Sequence, residues 1–430
     1  MMTNLTFPRA LLFSVFLFSP HVYFIYSFPQ YINYLPIFFF LFLIMLINFK
    51  RFNLTLNLSQ NSTLLLFTIF LLLIMQLKMF SLVVFFKWSL SLILIMSFLS
   101  YENNYELFLN FIKNYYRVMA IIFIIPIFIV LNDILNYYYI IDTKYFIFFD
   151  KFINLTSYED LNLNTGNYKI FHFDQLINVN DPSHAIRRFN AHLVQASLLP
   201  VNILVLFGAG MMLNLISRKI IIVVIAFSLI SFSSSVYFII FPSLLFIFFY
   251  SYIQKFSFYL PLFVLICFSV IALYVHSFCL FENECATNEL TNDGMIRYSS
   301  GLQRINLVGL QIYTFISNPL FGTITEDYST ENLLGSFVFT VSVQSGILGF
   351  LVSLIFFLNI FKSICEFKVR TIKQKFGFMI LYFSILQGFA YQDFGYFSIN
   401  GVIVLLIISI LFSSKKIQNE YSRSRESYVN

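Results

Sequence analysis

The chain has 430 residues, of which 59% are hydrophobic and 11% are charged, and its formal net charge is +6. A soluble domain has about a quarter of its residues charged, so this composition excludes an ordinary soluble fold. The positive charge does not indicate a nucleic-acid partner, because the basic residues lie between apolar runs rather than in one stripe.

Runs of about twenty apolar residues predict an all-α polytopic membrane protein with about twelve transmembrane helices. No low-complexity linker interrupts the chain, so residues 1–430 are interpreted as a single membrane domain. In chain order the predicted spans are 10–28, 31–49, 62–79, 82–100, 116–133, 194–215, 219–234, 236–252, 257–275, 336–361, 376–391 and 395–413.

Basic residues in the short connections predict the orientation of these spans, because cytoplasmic connections are enriched in Lys and Arg. If the amino terminus is cytoplasmic, most of the 26 Lys and Arg residues lie on the cytoplasmic side. Only Lys78 and Lys87 then fall in a short outer connection. We therefore expect both termini in the cytoplasm and two long loops, 134–193 and 276–335, on the other side of the membrane.

The first long loop is predicted to end in a helix that carries two arginines. The Asp-Pro pair at 181–182 suits a helix cap and first turn. If the helix continues, His184, Arg188 and His192 share one stripe, and Arg187 lies on the neighbouring face. Guanidinium groups bind phosphate in a bidentate manner. The stripe therefore suits an anionic ligand, and the alternative is an interfacial helix whose arginines contact lipid headgroups.

The second long loop is predicted to contain an amphipathic helix at the membrane surface. Arg297, Arg304 and Gln311 recur every seven residues and would form one polar edge. The alternative is a structural helix whose arginines are solvated. The apolar arc of this predicted helix comprises Leu302, Ile305, Val308, Ile312 and Ile316.

Acidic and amide residues follow this helix, just before the tenth span. Pro319 should end the helix, and Glu331 and Asn332 come shortly afterwards. A carboxylate at a membrane mouth can act as a general base when it is buried. A solvated carboxylate without a catalytic role is the alternative.

Several familiar chemistries are not indicated by either long loop. Neither loop contains an Asp-x-Asp metal pair, a glycine-rich phosphate loop, a serine nucleophile elbow or a His-Glu-x-x-His site. We therefore predict no metal and no cofactor. Cys279 and Cys285 are the only cysteines that share a loop, and they can form a disulfide if the loop is outside or remain free thiols.

Four segments of the second loop and the following span resemble the O-antigen polymerase and ligase superfamily. They are SGLQR at 300–304, SNPLFG at 317–322, ENLL at 331–334 and QSGILGF at 344–350. Members of that superfamily commonly have an arginine helix, an NPLFG turn and a glycine-rich start to the next span. The RRF segment at 187–189 is similar to the arginine element of their earlier outer loop.

The resemblance implies a Wzy-type polymerase, in which both long loops are periplasmic and the chain lies in the inner membrane of a bacterium. Such an enzyme joins oligosaccharide repeat units carried on undecaprenyl pyrophosphate, and it needs no cofactor. The implied partners are this lipid-linked glycan, membrane lipid, and a chain-length regulator and a flippase of the same pathway. The resemblance implies diphosphate contacts from four arginines, a base at His192 or Glu331, and further substrate contacts at His184 and Asn332. The four arginines are Arg187, Arg188, Arg297 and Arg304.

Two other functions remain open. A ligase uses the same donor, but ligases typically have a histidine where this chain has Glu331. A flippase or transporter also has about twelve spans, but it does not need two long outer loops with paired arginines.

Overall fold

The computed structural model describes parts of residues 109–131, the backbone of three short strands, residues 203–230, 234–256, 259–282, 300–323 and 335–391, and residues 408 and 412. The predicted spans 10–28, 31–49, 62–79 and 82–100 lie outside the described residues, as does most of 395–413.

Helices make up most of the described chain, because apolar segments inside a membrane must satisfy their backbone hydrogen bonds internally. A 3-10 turn at Phe246–Phe249 joins the third helix to the fourth. The helices are α1 (Val205–Met212), α2 (Arg218–Ile230), α3 (Ser234–Leu245), α4 (Tyr250–Lys255), α5 (Tyr259–Glu282), α6 (Ser300–Ser317), α7 (Phe337–Glu366) and α8 (Ile372–Ala390).

Three stretches within these helices are long and apolar enough to cross a membrane. They are Val236–Lys255, Tyr259–Phe278 and Phe337–Cys365. Each coincides with a span predicted from the sequence, namely 236–252, 257–275 and 336–361. The prediction of a membrane protein with transmembrane helices is therefore supported in the described part of the chain, whereas the number twelve stays a prediction.

The chain divides into two compact units. The first comprises residues 1–53 and 102–244, and the second comprises residues 54–101 and 245–430. The predicted loop 134–193 falls in the first unit and the predicted loop 276–335 in the second. Each unit is described by itself below.

The first unit contains a small sheet of three strands, β1 (Ile153–Leu155), β2 (Phe171–Gln175) and β3 (Arg187–Ala191). Strand β2 lies in the centre, parallel to β1 and antiparallel to β3. Apart from this small sheet the described part of the chain is helical, as the all-α prediction states. The helix predicted through Arg187 and Arg188 is wrong, because pairing with β2 holds the backbone of β3 extended. Arg188 therefore lies on a strand rather than on the predicted helix, whereas His184 and His192 lie outside the described residues.

Aromatic side chains fill the interior of the first unit. Tyr116 donates a hydrogen bond from its hydroxyl to the carbonyl oxygen of Ile203. The rings of Phe123 and Phe227 stack with their centroids 3.7 Å apart. All side chains of α1 are buried. Helix α1 therefore packs as an interior helix of this unit.

In the second unit, α7 and α8 form an antiparallel pair. The Ser336 side chain caps α7, and its hydroxyl also donates to the Phe389 carbonyl oxygen near the end of α8, at 2.9 Å. At the other end of the pair, Thr371 and Gln374 form a capping box that begins α8. A cluster of aromatic rings packs between the two helices, comprising Phe356, Phe357, Phe361, Tyr382 and Phe389.

Candidate functional site

Helix α6, which carries Arg304, lies between α5 and α7 in the second unit. One face of α6 contacts α5: Asn306 is hydrogen bonded to His276, whose ring lies 5.9 Å from that of Tyr313. The opposite face contacts α7: Gln311 donates to Thr340 at 3.0 Å, and the rings of Phe315 and Phe350 lie 5.8 Å apart. Arg304 is a helical residue one turn before Val308 and two turns before Gln311, so its position lies on the same side of α6 as that of Gln311.

The order of these contacts gives the direction of α6. Its start contacts the end of α5, so these two helices are antiparallel. Gln311 contacts Thr340 and Pro319 contacts Ile347, so α6 runs in the same direction as α7. Helix α6 therefore lies alongside the first part of α7.

This packing differs from the predicted surface helix. Gln311 is only 3% exposed, whereas the prediction placed it on a solvated polar edge. Ile316, assigned to the apolar arc, is 60% exposed. The physical reason is that α7 offers the amide nitrogen of Gln311 a hydrogen-bonding partner, so this nitrogen is paired inside the protein instead of with water.

The turn after α6 docks onto a break in α7 at Gly346. Around this residue the helical backbone is interrupted, which leaves neighbouring N–H and C=O groups without helical partners. The N–H of Ile347 donates to the Pro319 carbonyl oxygen at 2.7 Å, and the N–H of Thr323 donates to the Val343 carbonyl oxygen at 2.7 Å. The turn therefore supplies the hydrogen bonds that the break removes.

Two glycines make this close approach possible. Gly346 has φ 67° and ψ −154°, a conformation essentially restricted to glycine. A Cβ there would overlap with the Leu320 carbonyl oxygen, and a Cβ at Gly322, which has φ 71°, would overlap with the Val343 carbonyl oxygen. We name the turn 318–322 together with the break at Gly346 the turn-break junction. It joins two of the segments that carried the resemblance.

A second contact, which the sequence interpretation missed, joins α5 to α6. His276 is 7% exposed, and its Nδ1 lies 2.8 Å from Oδ1 of Asn306. Since the amide oxygen only accepts, Nδ1 carries a proton and donates to it. The only available sequence signal was a histidine at the end of an apolar run.

Gly309 determines how closely α5 and α6 approach. A Cβ at Gly309 would overlap with the Ala272 carbonyl oxygen and would lie 2.5 Å from the Cβ of His276. We expect Gly309→Ala to separate the helices, to weaken the His276–Asn306 hydrogen bond and to destabilise the protein by about 1–3 kcal/mol, as overpacking usually does. Thermal unfolding of the purified protein measures this, with Ser317→Ala, at an exposed position of the same helix, as the control. Equal melting temperatures for the two variants would contradict the expected close approach.

Buried amide side chains occur on both α6 and α7. Gln344 lies one turn after Thr340 on α7 and is 4% exposed. The side-chain oxygens of Gln311 and Gln344 are buried and have no hydrogen-bonding partner among the described residues. Most buried polar atoms are paired, so these two are candidates for contact with a ligand.

The other predicted site residues are placed as follows. Arg187 and Arg188 lie on β3, in the first unit, whereas Arg304 lies on α6, in the second unit. The remaining ones lie outside the described residues, and these are His184, His192, Arg297, Glu331 and Asn332. Cys285 also lies outside them, so the pairing of Cys279 stays open. No group of three or more metal-binding side chains occurs within the described part of the chain.

Comparison of the chain with protein-family models, with curated proteins and with solved structures found no match. The described residues thus define the class only as a membrane protein with apolar helices, one of which is broken by a glycine and paired with a preceding turn.

Proposed function

We propose that this protein polymerises oligosaccharide repeat units carried on undecaprenyl pyrophosphate, at the periplasmic face of a bacterial inner membrane. The observation that supports this most is the turn-break junction. There, two segments pair through backbone hydrogen bonds although they are distant in sequence, and both resemble segments of the O-antigen polymerase and ligase superfamily. The arginine helix α6 leads directly into this junction.

The chemistry of the proposed reaction suits the candidate residues. The hydroxyl oxygen of the acceptor sugar forms a bond to the anomeric carbon of the donor sugar, while the bond from that carbon to the pyrophosphate oxygen breaks. The pyrophosphate leaves with the bonding electron pair. Arginines stabilise this developing charge because they remain protonated and bind two oxygens at once. We propose this role for Arg304, together with Arg187, Arg188 and Arg297.

The hydroxyl proton needs an acceptor. We propose His192 or Glu331 as this base, because imidazole and carboxylate groups commonly act as general bases. His184 and Asn332 complete the proposed substrate contacts. No step of this reaction requires a metal ion, because the arginines supply positive charge at the leaving group.

One gel tests the proposed function. In a strain that lacks this gene we expect lipopolysaccharide with a single repeat unit on the core and no ladder of longer chains, and the ladder should return with a plasmid copy. Bare core with accumulated lipid-linked polymer would instead indicate a ligase. Lipid-linked units retained on the cytoplasmic side would indicate a flippase. Either of these last two results would contradict the proposal.

A further inference from the structure

The interface between α6 and α7 contains a polar group that the proposed diphosphate chemistry does not use. We define the amide site as Gln311, Thr340 and Gln344. Thr340 and Gln344 are four residues apart on α7 and therefore share a face of this helix. All three side chains are at most 4% exposed. The amide site therefore lies in the interior of the second unit.

A chain of hydrogen bonds orients the Gln311 amide. The Thr340 hydroxyl uses its only proton to donate to the Ser336 carbonyl oxygen at 2.8 Å. Towards any other group this hydroxyl therefore acts as an acceptor. The Gln311 Nε2 donates to that hydroxyl at 3.0 Å. Consequently the amide nitrogen of Gln311 is hydrogen bonded to α7, and the amide oxygen, Oε1, does not face Thr340.

The Gln311 oxygen lies against Gly335. A Cβ at Gly335 would overlap with Oε1 of Gln311, so only a glycine permits this approach. Gly335 follows Glu331 and Asn332 by a few residues in the sequence. The oriented amide oxygen is thus next to the end of the segment that carries two of the proposed site residues.

The two amide oxygens lack donors among the described residues, and in an apolar interior such acceptors are unfavourable. Polar groups inside membrane proteins are usually retained for function. The amide site has no charged member, so a cation bound there would have no counter-charge. A neutral ligand with several hydroxyl donors is the kind of group that could pair with such oxygens.

We propose that Gln311 and Gln344 accept hydrogen bonds from hydroxyl groups of the glycan on the lipid carrier. This inference rests on the proposed function and deepens it. Arg304 lies seven residues before Gln311 on the same face of α6, about 10 Å along the helix axis. A lipid-linked substrate whose diphosphate contacts Arg304 would thus have its sugar at the amide site, further along α6.

Binding to the purified full-length protein in nanodiscs tests this assignment with two probes. The first is the undecaprenyl-pyrophosphate-linked repeat unit extracted from the deletion strain, and the second is undecaprenyl pyrophosphate without sugar. We expect Gln311→Leu to weaken binding of the first probe about tenfold, the effect of losing one good hydrogen bond. Binding of the second probe should not change.

Melting temperature separates a binding role from a structural one. Gln311→Leu removes an unsatisfied acceptor together with the hydrogen bond to Thr340, so we expect these opposing effects to leave the melting temperature of the ligand-free protein nearly unchanged. Gln344→Leu provides a second variant in case the first does not fold. Asn359→Leu is the control, because Asn359 is an amide residue fifteen positions after Gln344 on α7 and its Nδ2 donates to the Ile355 carbonyl oxygen. This control should bind both probes as the wild type does.

The outcomes are distinguishable. If Gln311→Leu and Gln344→Leu bind the glycan-bearing probe as tightly as the wild type, the amide site is not a glycan site and the proposed function is untouched. Equal weakening of both probes together with a lower melting temperature shows a structural role and also overturns the inference. If the wild type binds neither probe, the proposed function fails, and this inference fails with it.

Discussion

Replacing Gly346 with alanine should destabilise the protein by about 3 kcal/mol, the upper end of the cost of a strained backbone conformation, and should abolish polymer formation. The backbone conformation at Gly346 is restricted to glycine, and a Cβ would overlap with the Leu320 carbonyl oxygen. The backbone strain and the steric overlap both act on the turn-break junction. The turn would have to move away, which would leave the N–H of Ile347 without the Pro319 carbonyl oxygen.

Thermal unfolding of the purified variant and the lipopolysaccharide ladder of a complemented deletion strain measure these two effects. Ser345→Ala is a matched control at the adjacent position, because the Ser345 hydroxyl is buried without a partner among the described residues. The control should keep both stability and polymer. A Gly346→Ala protein with the wild-type melting temperature would show that the turn does not depend on the break.

Replacing Arg304 with alanine or lysine should reduce polymer formation by about 100-fold or more, the effect of removing one group that stabilises a developing negative charge. Lysine keeps the charge but cannot bind two phosphate oxygens in the planar geometry of a guanidinium. We therefore expect lysine to rescue little of the activity. Lipopolysaccharide from strains carrying these variants should show single repeat units on the core.

The matched control for Arg304 is Arg370→Ala. Arg370 is exposed and lies between α7 and α8, in a connection that the charge distribution predicts to be cytoplasmic. This variant should form polymer of normal length. A well-expressed Arg304→Ala protein that also makes polymer of full length would contradict the proposed diphosphate contact.

The apolar spans show how much of the fold was predictable. A run of about twenty apolar residues must satisfy its backbone within one helix, whatever surrounds it. For this reason the predicted span 336–361 agrees with the start of α7 at Phe337, where Ser336 acts as the cap. The prediction depended on local composition, which is why it succeeded without knowledge of neighbouring helices.

The candidate site was less predictable. Periodicity identified the polar positions of α6, including Arg304 and Gln311, but could not distinguish a solvated edge from a buried one. That distinction depends on Thr340, which is distant in sequence. The sequence did not single out His276, because this residue is distinguished by its hydrogen bond to Asn306, which lies on another helix.

The sequence by itself determined that the chain is a membrane protein and that α6 ends near Pro319, since both follow from composition and local backbone chemistry. Only the tertiary structure decided that the turn after α6 docks at Gly346, that Gln311 is buried against α7, and that Arg187 and Arg188 lie on a strand. These outcomes depend on hydrogen-bonding partners far along the chain, and a local pattern does not contain that information.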